Sequence, residues 1–343
     1  MIDRLIAGQE YLLYIMFIMM SVGMIKQHNL FADIYTYLQK AFNSKRFIVG
    51  MMSAFSGILP IPGRVTASAG LLDTMTSDDK KSRSKFGIID YLSTHHYYLW
   101  SPLEKTIIVP MGALGITYGV LMDQLAPLLF VSLLMIVGYI YFFVKEDDIE
   151  LNVNKQDFKI SRITRGVVPF VFALGAVIYG IDPMWAFGGL TLYYMMLTMT
   201  WDLNKIFSYI NWNVILTVAV VIALANITKE YTNEIKAFLE GSIFDTSNIF
   251  GWIGVSAVGF FGSFILGSSS RFVALSVLLA SIYGTQYFLW FFAVEFAGYL
   301  LSPMHKCAAI GITYFGTPFK KYVNVLGIWA LALVGTAGFI TFG

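Results

Sequence analysis

Four basic side chains sit inside apolar stretches where a charge needs a reason: Arg64, Lys105, Arg271 and Lys306. Each follows a helix-breaking motif: Pro60-Ile61-Pro62-Gly63-Arg64, Ser101-Pro102-Leu103-Glu104-Lys105, Gly267-Ser268-Ser269-Ser270-Arg271 and Ser302-Pro303-Met304-His305-Lys306. Arginine binds carboxylate, phosphate or sulfate through a bidentate fork, and helix N-termini beside it add free N–H groups. Thr66, Ser68, Ser268, Ser269 and Ser270 supply neutral hydroxyls close by. The chemistry these residues suggest is anion binding. Arg64 and Arg271 would bracket the anion, Lys105 and Lys306 would support them, and Gly63 with the hydroxyl residues would complete the site. Glu104, Glu295 and His305 are acids and a base at comparable positions, suited to carrying a coupling ion or to serving as counter-ions. The competing reading is structural: Arg64 and Arg271 neutralise Glu104 and Glu295 and touch no solute, since buried charges are usually paired. His95-His96 has no carboxylate or thiol at ligand spacing, so no metal is expected. Tyr91, Tyr97 and Tyr98 read as an interfacial belt. The run Lys80-Lys81-Ser82-Arg83-Ser84-Lys85 reads as a solvated cytoplasmic loop near anionic lipid.

The elements that position these residues are membrane helices. The chain has 343 residues, of which 57% are hydrophobic and only 13% charged, and its mean hydropathy is +0.69. A soluble domain holds about 25% charged residues, so a soluble enzyme, a disordered chain and a disulfide scaffold are excluded. A net charge of +2 gives no footprint for nucleic acid. A lone cysteine, Cys307, rules out an intrachain disulfide. Crossing a bilayer takes about 20 apolar helical residues. Segments 11–28, 124–144, 165–181, 183–200, 212–228 and 323–343 meet that need. The first is read as a retained span, since it lacks a small-residue cleavage site. Stretches 46–73 and 251–282 are too short for two crossings and carry polar tips, so each reads as a re-entrant hairpin. Stretches 90–119 and 288–317 are interrupted by Ser101-Pro102 and Ser302-Pro303. Each reads as a broken helix whose second half begins near the proline.

The oddities come in matched pairs. Leu99–Lys105 mirrors Leu300–Lys306 at an offset of 201, and Asp33-Ile34 mirrors Glu234-Ile235 at the same offset. Repeat 1 is taken as 10–144 and repeat 2 as 211–343, with two scaffold helices at 165–200 between them. The fold class is an all-α membrane protein of about eight spans, two of them broken, plus two hairpins. An odd number of crossings separates the copies, so the second is inverted. Inverted repeats with broken helices are a mark of secondary transporters. With this topology, 15 Lys and Arg residues fall on the face reached after the first helix and 3 on the other. The positive-inside rule makes the first face cytoplasmic and both termini extracytoplasmic.

No phosphate-binding P-loop, HExxH or nucleophile-elbow motif is present, so neither an enzyme nor ATP-driven transport is expected. The function that fits is secondary active transport of a small anionic solute, a carboxylate or similar, driven by a sodium or proton gradient. No cofactor is expected, with sodium a candidate coupling ion. A passive anion channel and a non-transporting membrane receptor or assembly protein remain the alternatives. The partners are the lipid bilayer and the solute, without nucleic acid.

Gly57-Ile58-Leu59-Pro60-Ile61-Pro62-Gly63, followed by Leu71-Leu72-Asp73, resembles the tip motif of an uncharacterised prokaryotic membrane family, domain of unknown function 401, of the ion transporter superfamily. Gly298–His305 resembles its glycine–Ser-Pro-x-His signature, and Tyr97–Leu103 its aromatic Trp-x-x-Pro-Leu segment. The resemblance covers about residues 10–343. It implies an inverted-repeat transporter of the prokaryotic inner membrane with hairpin tips in the substrate site. Superfamily members carry dicarboxylates, other organic anions or antiported cations, often as homodimers. By that analogy 46–119 and 251–317 would move against the remaining helices. The two helices that usually precede the first repeat in this family, counterparts of 165–200, are not in this sequence. Arg64 stands where the family tends to have a small residue.

Overall fold

The computed structural model describes residues 10–58, 64–76, 79–150 and 158–343, leaving aside the side chains at 32, 64, 66 and 67. The described residues are helical apart from turns and one bridge between Thr76 and Ile149. In chain order the first group is α1 Glu10–Gln27, α2 Ala32–Ala41, α3 Lys45–Gly57, α4 Arg64–Asp73, α5 Lys80–His95, α6 Lys105–Leu114 and α7 Tyr118–Phe143. Then come α8 Ile160–Ile178, α9 Pro183–Thr198 and the short α10 Leu203–Phe207. The last group is α11 Trp212–Glu230, α12 Thr232–Leu239, α13 Ile249–Leu266, α14 Ser269–Tyr283, α15 Phe288–Leu301, α16 Lys306–Phe315 and α17 Phe319–Phe342. The first and last groups share one order: a helix, a short helix, a helix pair, an interrupted helix and a long helix.

Six helical stretches among the described residues are long and apolar enough to cross a membrane: α7, α8, α11, α13, the interrupted stretch Thr285–Phe315 and α17. Their outward faces are apolar. Phe172, Leu331 and Phe339 are each at least 75% exposed, which water would penalise and lipid tails would not. The chain is an integral membrane protein. Helix α1 has 18 residues with Glu10 and Lys26 near its ends, and α9 has 16, about 24 Å at 1.5 Å per residue. The arms α3 and α4 have 13 and 10 residues, too short to span, while α13 and α14 have 18 and 15.

The basic run at 80–85 is not a loop. It forms the first turns of α5, because Asp79 caps the helix by accepting the Ser82 N–H at 2.9 Å. Asp148, from the turn after α7, then neutralises Lys85 and accepts the Ser82 hydroxyl at 2.6 Å. Arg83 pairs with Asp73 at 2.6 Å. Burial alone would push the Asp148 carboxyl up, but the bonds from Lys85, Ser82 and the Lys145 N–H outweigh it and hold it below the usual carboxylate range.

Polar bonds between helices sit where the helices meet. Ser21 on α1 shares a hydrogen bond with Thr191 on α9 at 2.9 Å. The Tyr194 hydroxyl donates to the Gly166 carbonyl, joining α9 to α8. The indole of fully buried Trp329 on α17 donates to Ser132 on α7 at 3.0 Å. In the last group α13 crosses α15 closely. There a Cβ on Gly298 would stand 2.2 Å from the Phe260 carbonyl oxygen. Small residues at such crossings let backbones approach in lipid.

Candidate functional site

Both interrupted helices break at the same turn. Proline lacks an N–H and disfavours helical geometry in the residue before it. Ser101 and Ser302 therefore leave the helix, and each serine hydroxyl accepts the N–H two residues on: Leu103 at 3.3 Å and Met304 at 3.2 Å. The serine carbonyls close the turn by accepting the Glu104 and His305 N–H groups at 2.9 and 3.2 Å. The prolines thus occupy the second turn position, where they are favoured. The second halves begin at Lys105 and Lys306, with Glu104 and His305 as their cap residues.

The first break is held by α1 and α7. The Tyr14 hydroxyl donates to the Pro102 carbonyl and Tyr118 to the Trp100 carbonyl. The second break is held by the pair α13–α14. Gly267, at φ +54°, turns the chain there, and a Cβ on it would stand 2.9 Å from the Ser302 hydroxyl. Only glycine adopts this left-handed conformation at little cost. The Ser302 hydroxyl also donates to the Phe264 carbonyl at the end of α13. Across the molecule, Lys105 Nζ donates to Ser270 Oγ at 3.0 Å. The break of one group is thereby tied to the helix pair of the other.

A cavity of about 670 Å³ opens at this junction. Glu104, Lys105, Tyr98 and Ser269 line one end, and Lys26, Gln27 and Asn211 the other. Ile15, Ile18, Val22, Ile108 and Val214 form much of the wall between. Two ammonium groups and one carboxyl on an otherwise apolar wall suit a small organic anion with an apolar body.

Beside the cavity lies a buried polar cluster. The Tyr299 hydroxyl donates to the Tyr98 hydroxyl at 3.1 Å and lies 2.9 Å from His305 Nε2. His305 Nδ1 lies 3.0 Å from the Tyr91 hydroxyl, which itself reaches the Leu300 carbonyl at 3.1 Å. His95 stacks on Tyr91 with ring centroids 3.8 Å apart. Its Nδ1 bonds the Tyr91 carbonyl at 2.7 Å, and its Nε2 faces His305 Nε2 at 3.3 Å.

Of the residues expected from sequence, Glu104, Lys105, Ser269 and Ser270 come together at the junction, and Ser268 caps α14 beside them. His305 enters the buried cluster. Arg271 and Lys306 are exposed and do not line the cavity. Among the described residues, no acidic side chain pairs with either. Arg271 and Glu295 therefore do not form the lock considered above. Glu295 is fully buried on α15 and accepts from Ser276 on α14. Ser68 on α4 is buried and shares a hydrogen bond with Ser53 on α3 at 3.1 Å. Gly63 and the side chains of Arg64 and Thr66 lie outside the described residues.

Sequence reasoning missed four features. Tyr98 and Tyr299 are separated by the same 201 residues as the Ser-Pro motifs, so that offset alone would have found them. Asp90 is a further buried acid, on α5 beside Ser68. Cys307 lies with His95 and His305. Lys26, near the end of α1, lines the cavity.

The sequence matches one family profile over residues 2–342, that of a protein of unknown function, DUF401. The chain belongs to that family. No curated protein matches it. The two Ser-Pro motifs of this DUF401 chain make the two breaks, and the first of them, with the start of α14, heads the cavity; residues 59–63 of the tip motif lie outside the described residues.

Proposed function

We propose that this DUF401 chain is a secondary active transporter of a small organic anion, of the ion transporter type, in a prokaryotic cytoplasmic membrane. In this reading 10–144 and 211–343 are inverted repeats around the scaffold helices at 165–200. There are eight spans, two of them broken, both termini are extracytoplasmic, and α3–α4 and α13–α14 are re-entrant hairpins. The observation that carries the reading is the junction of Lys105, Glu104, Ser269 and Ser270 at the head of the cavity. A fixed ammonium there would meet a carboxylate through a charge-assisted bond, stronger than its bond to a neutral hydroxyl. The cavity continues to Lys26 at the end of α1, the face assigned to the cytoplasm, so this is an inward-facing arrangement.

The same frame suggests the coupling ion. Asp90 and Glu295 are both buried, and one oxygen of each has no hydrogen-bond partner. Each lies beside a serine of the helix pair in its own half, Ser68 or Ser276. Ser276 has one proton and two acceptors in reach, the Phe272 carbonyl and Glu295. A protonated Glu295 satisfies both. An ionised carboxylate buried with no cation paired to it among the described residues would cost several kcal/mol there, so we assign protons, and not sodium, as the coupling ion.

Uptake of radiolabelled mono- and dicarboxylates into proteoliposomes tests this, with pH and sodium gradients imposed separately. Uphill uptake driven by the pH gradient is expected, with Lys105→Ala abolishing it and Glu295→Gln uncoupling it from pH. Unchanged uptake in Lys105→Ala would remove the site. Sodium-driven uptake indifferent to pH would remove the proton assignment.

A further inference from the structure

We propose that His95, His305 and Cys307 form a binding site for a borderline-soft d10 metal cation, zinc(II) or copper(I). It would tie the end of α5 to the start of α16. The inference stands apart from the anion-transport reading and uses none of the cavity residues. One ligand atom from each of the three residues lies within 4.8 Å of the others. The two imidazole Nε2 atoms are 3.3 Å apart. Two nitrogens at about 2.0–2.1 Å from a tetrahedral zinc stand about 3.3 Å from each other. The imidazoles already have the bite of a metal site.

The hydrogen bonds around them point the same way. The Tyr91 carbonyl can only accept, so His95 carries its proton on Nδ1 and presents the Nε2 lone pair to His305. On the other ring, the Tyr91 hydroxyl has one proton and two acceptors in reach, the Leu300 carbonyl and His305 Nδ1. With that proton on the carbonyl, His305 Nδ1 donates to the Tyr91 oxygen and Nε2 turns its lone pair to the same point as His95 Nε2. This is the tautomer a bound cation would select. An imidazole that donates its outer N–H to a carbonyl or hydroxyl is the usual support of a metal-bound histidine. The third ligand is suited to its place as well. Cys307 is the second residue of α16, one helical step past Lys306, and a sulfur ligand there shares the site with both imidazoles. It is half-buried, whereas both histidines are buried, so a cation has an approach from the sulfur side. Two neutral nitrogens and one thiolate select zinc(II) or copper(I) over hard cations such as magnesium or calcium. The Tyr299 hydroxyl, 2.9 Å from His305 Nε2, stands where a fourth donor would complete the shell.

The test uses the full-length chain in detergent, stripped with a chelator, reloaded with zinc(II) and desalted. Elemental analysis should find about one zinc per chain. Cobalt(II) should give the intense near-ultraviolet absorption of a thiolate–cobalt bond. Cys307→Ser should abolish that band. Both Cys307→Ser and His95→Gln should weaken zinc binding more than about tenfold. His96→Gln should leave it unchanged, since His96 instead accepts from the Trp100 indole at 2.9 Å. Failure of the wild-type chain to retain zinc, a cobalt spectrum without the thiolate band, or wild-type affinity in both variants would each overturn the site. The cobalt spectrum needs no variant, so it decides the matter even if one misfolds. Loss of carboxylate uptake with zinc binding intact would count against the transport reading alone.

Discussion

The crossing of α13 and α15 at Gly298 offers a sharp test of how the second half is held together. A methyl group at Gly298 would sit 2.2 Å from the Phe260 oxygen and 3.0 Å from its carbonyl carbon. Ordinary contact begins near 3.4 Å, so the two helices must part by about 1 Å, and the obstacle is backbone that has no rotamer to yield. Overpacking of this kind costs about 1–3 kcal/mol. Taking about 2 kcal/mol, and about 2–4 °C per kcal/mol for a chain of this order of size, Gly298→Ala should lower the midpoint of thermal unfolding in detergent by about 4–8 °C. The control is Gly335→Ala in α17, where a Cβ meets nothing within 4 Å. There the same change should be neutral or raise the midpoint, since glycine inside a helix costs about 0.5–1 kcal/mol relative to alanine. Both are read by the loss of helical circular dichroism on heating. Equal midpoints for Gly298→Ala and wild type, or a larger loss in Gly335→Ala, would refute the close crossing.

Asp148→Asn should lower stability at neutral pH and change its pH dependence. The wild-type carboxyl is held below its ordinary value, so its contribution is full above about pH 4–5 and lost as pH falls through the depressed folded value. The gap between wild-type and Asp148→Asn unfolding midpoints should therefore close on acidification; a gap that widens would contradict the Lys85 pairing. Gly267→Ala combines a strained φ with a contact 2.9 Å from Ser302. It should cost about 1–3 kcal/mol of stability and slow uptake, and wild-type melting and transport would show that the turn tolerates a side chain. Tyr299→Phe removes a hydroxyl shared by Tyr98 and His305. A destabilisation of about 1–3 kcal/mol is expected. In a double-mutant cycle with Tyr98→Phe the losses should be less than additive; full additivity would mean that the two hydroxyls do not interact.

Local rules made the helices and their breaks legible. Ser101-Pro102 and Ser302-Pro303 interrupt helices because proline has no N–H to give, wherever it sits in the fold. The same rule left open whether proline opens the next helix or fills a turn, and the Glu104 and His305 N–H groups settled it by bonding back to the serines. The run at 80–85 looked like a loop because six residues with four charges rarely start a buried helix. Asp148, 63 residues beyond Lys85, neutralises it, and no local pattern carries that information. Cys307 and His95 are 212 residues apart in sequence, so ligand spacing gave no sign of their meeting. Arg271 illustrates the opposite case. Its cost in lipid suggested burial, yet Arg271 lies at the surface of the chain and it is Lys105 that reaches the junction.

Lys105 holds the start of α14 through Ser270 and also faces the cavity. In the transport reading proposed above, one ammonium would serve both as a latch and as a greeting for whatever enters. An incoming anion would draw Lys105 from Ser270 by a charge-assisted bond and so slacken the wall at the moment of arrival. Ser302, gripping the other side of the same bend through Phe264, carries no charge and is untouched by the newcomer. Loosening would therefore be one-sided, turning the bend about its Ser302 anchor instead of freeing it.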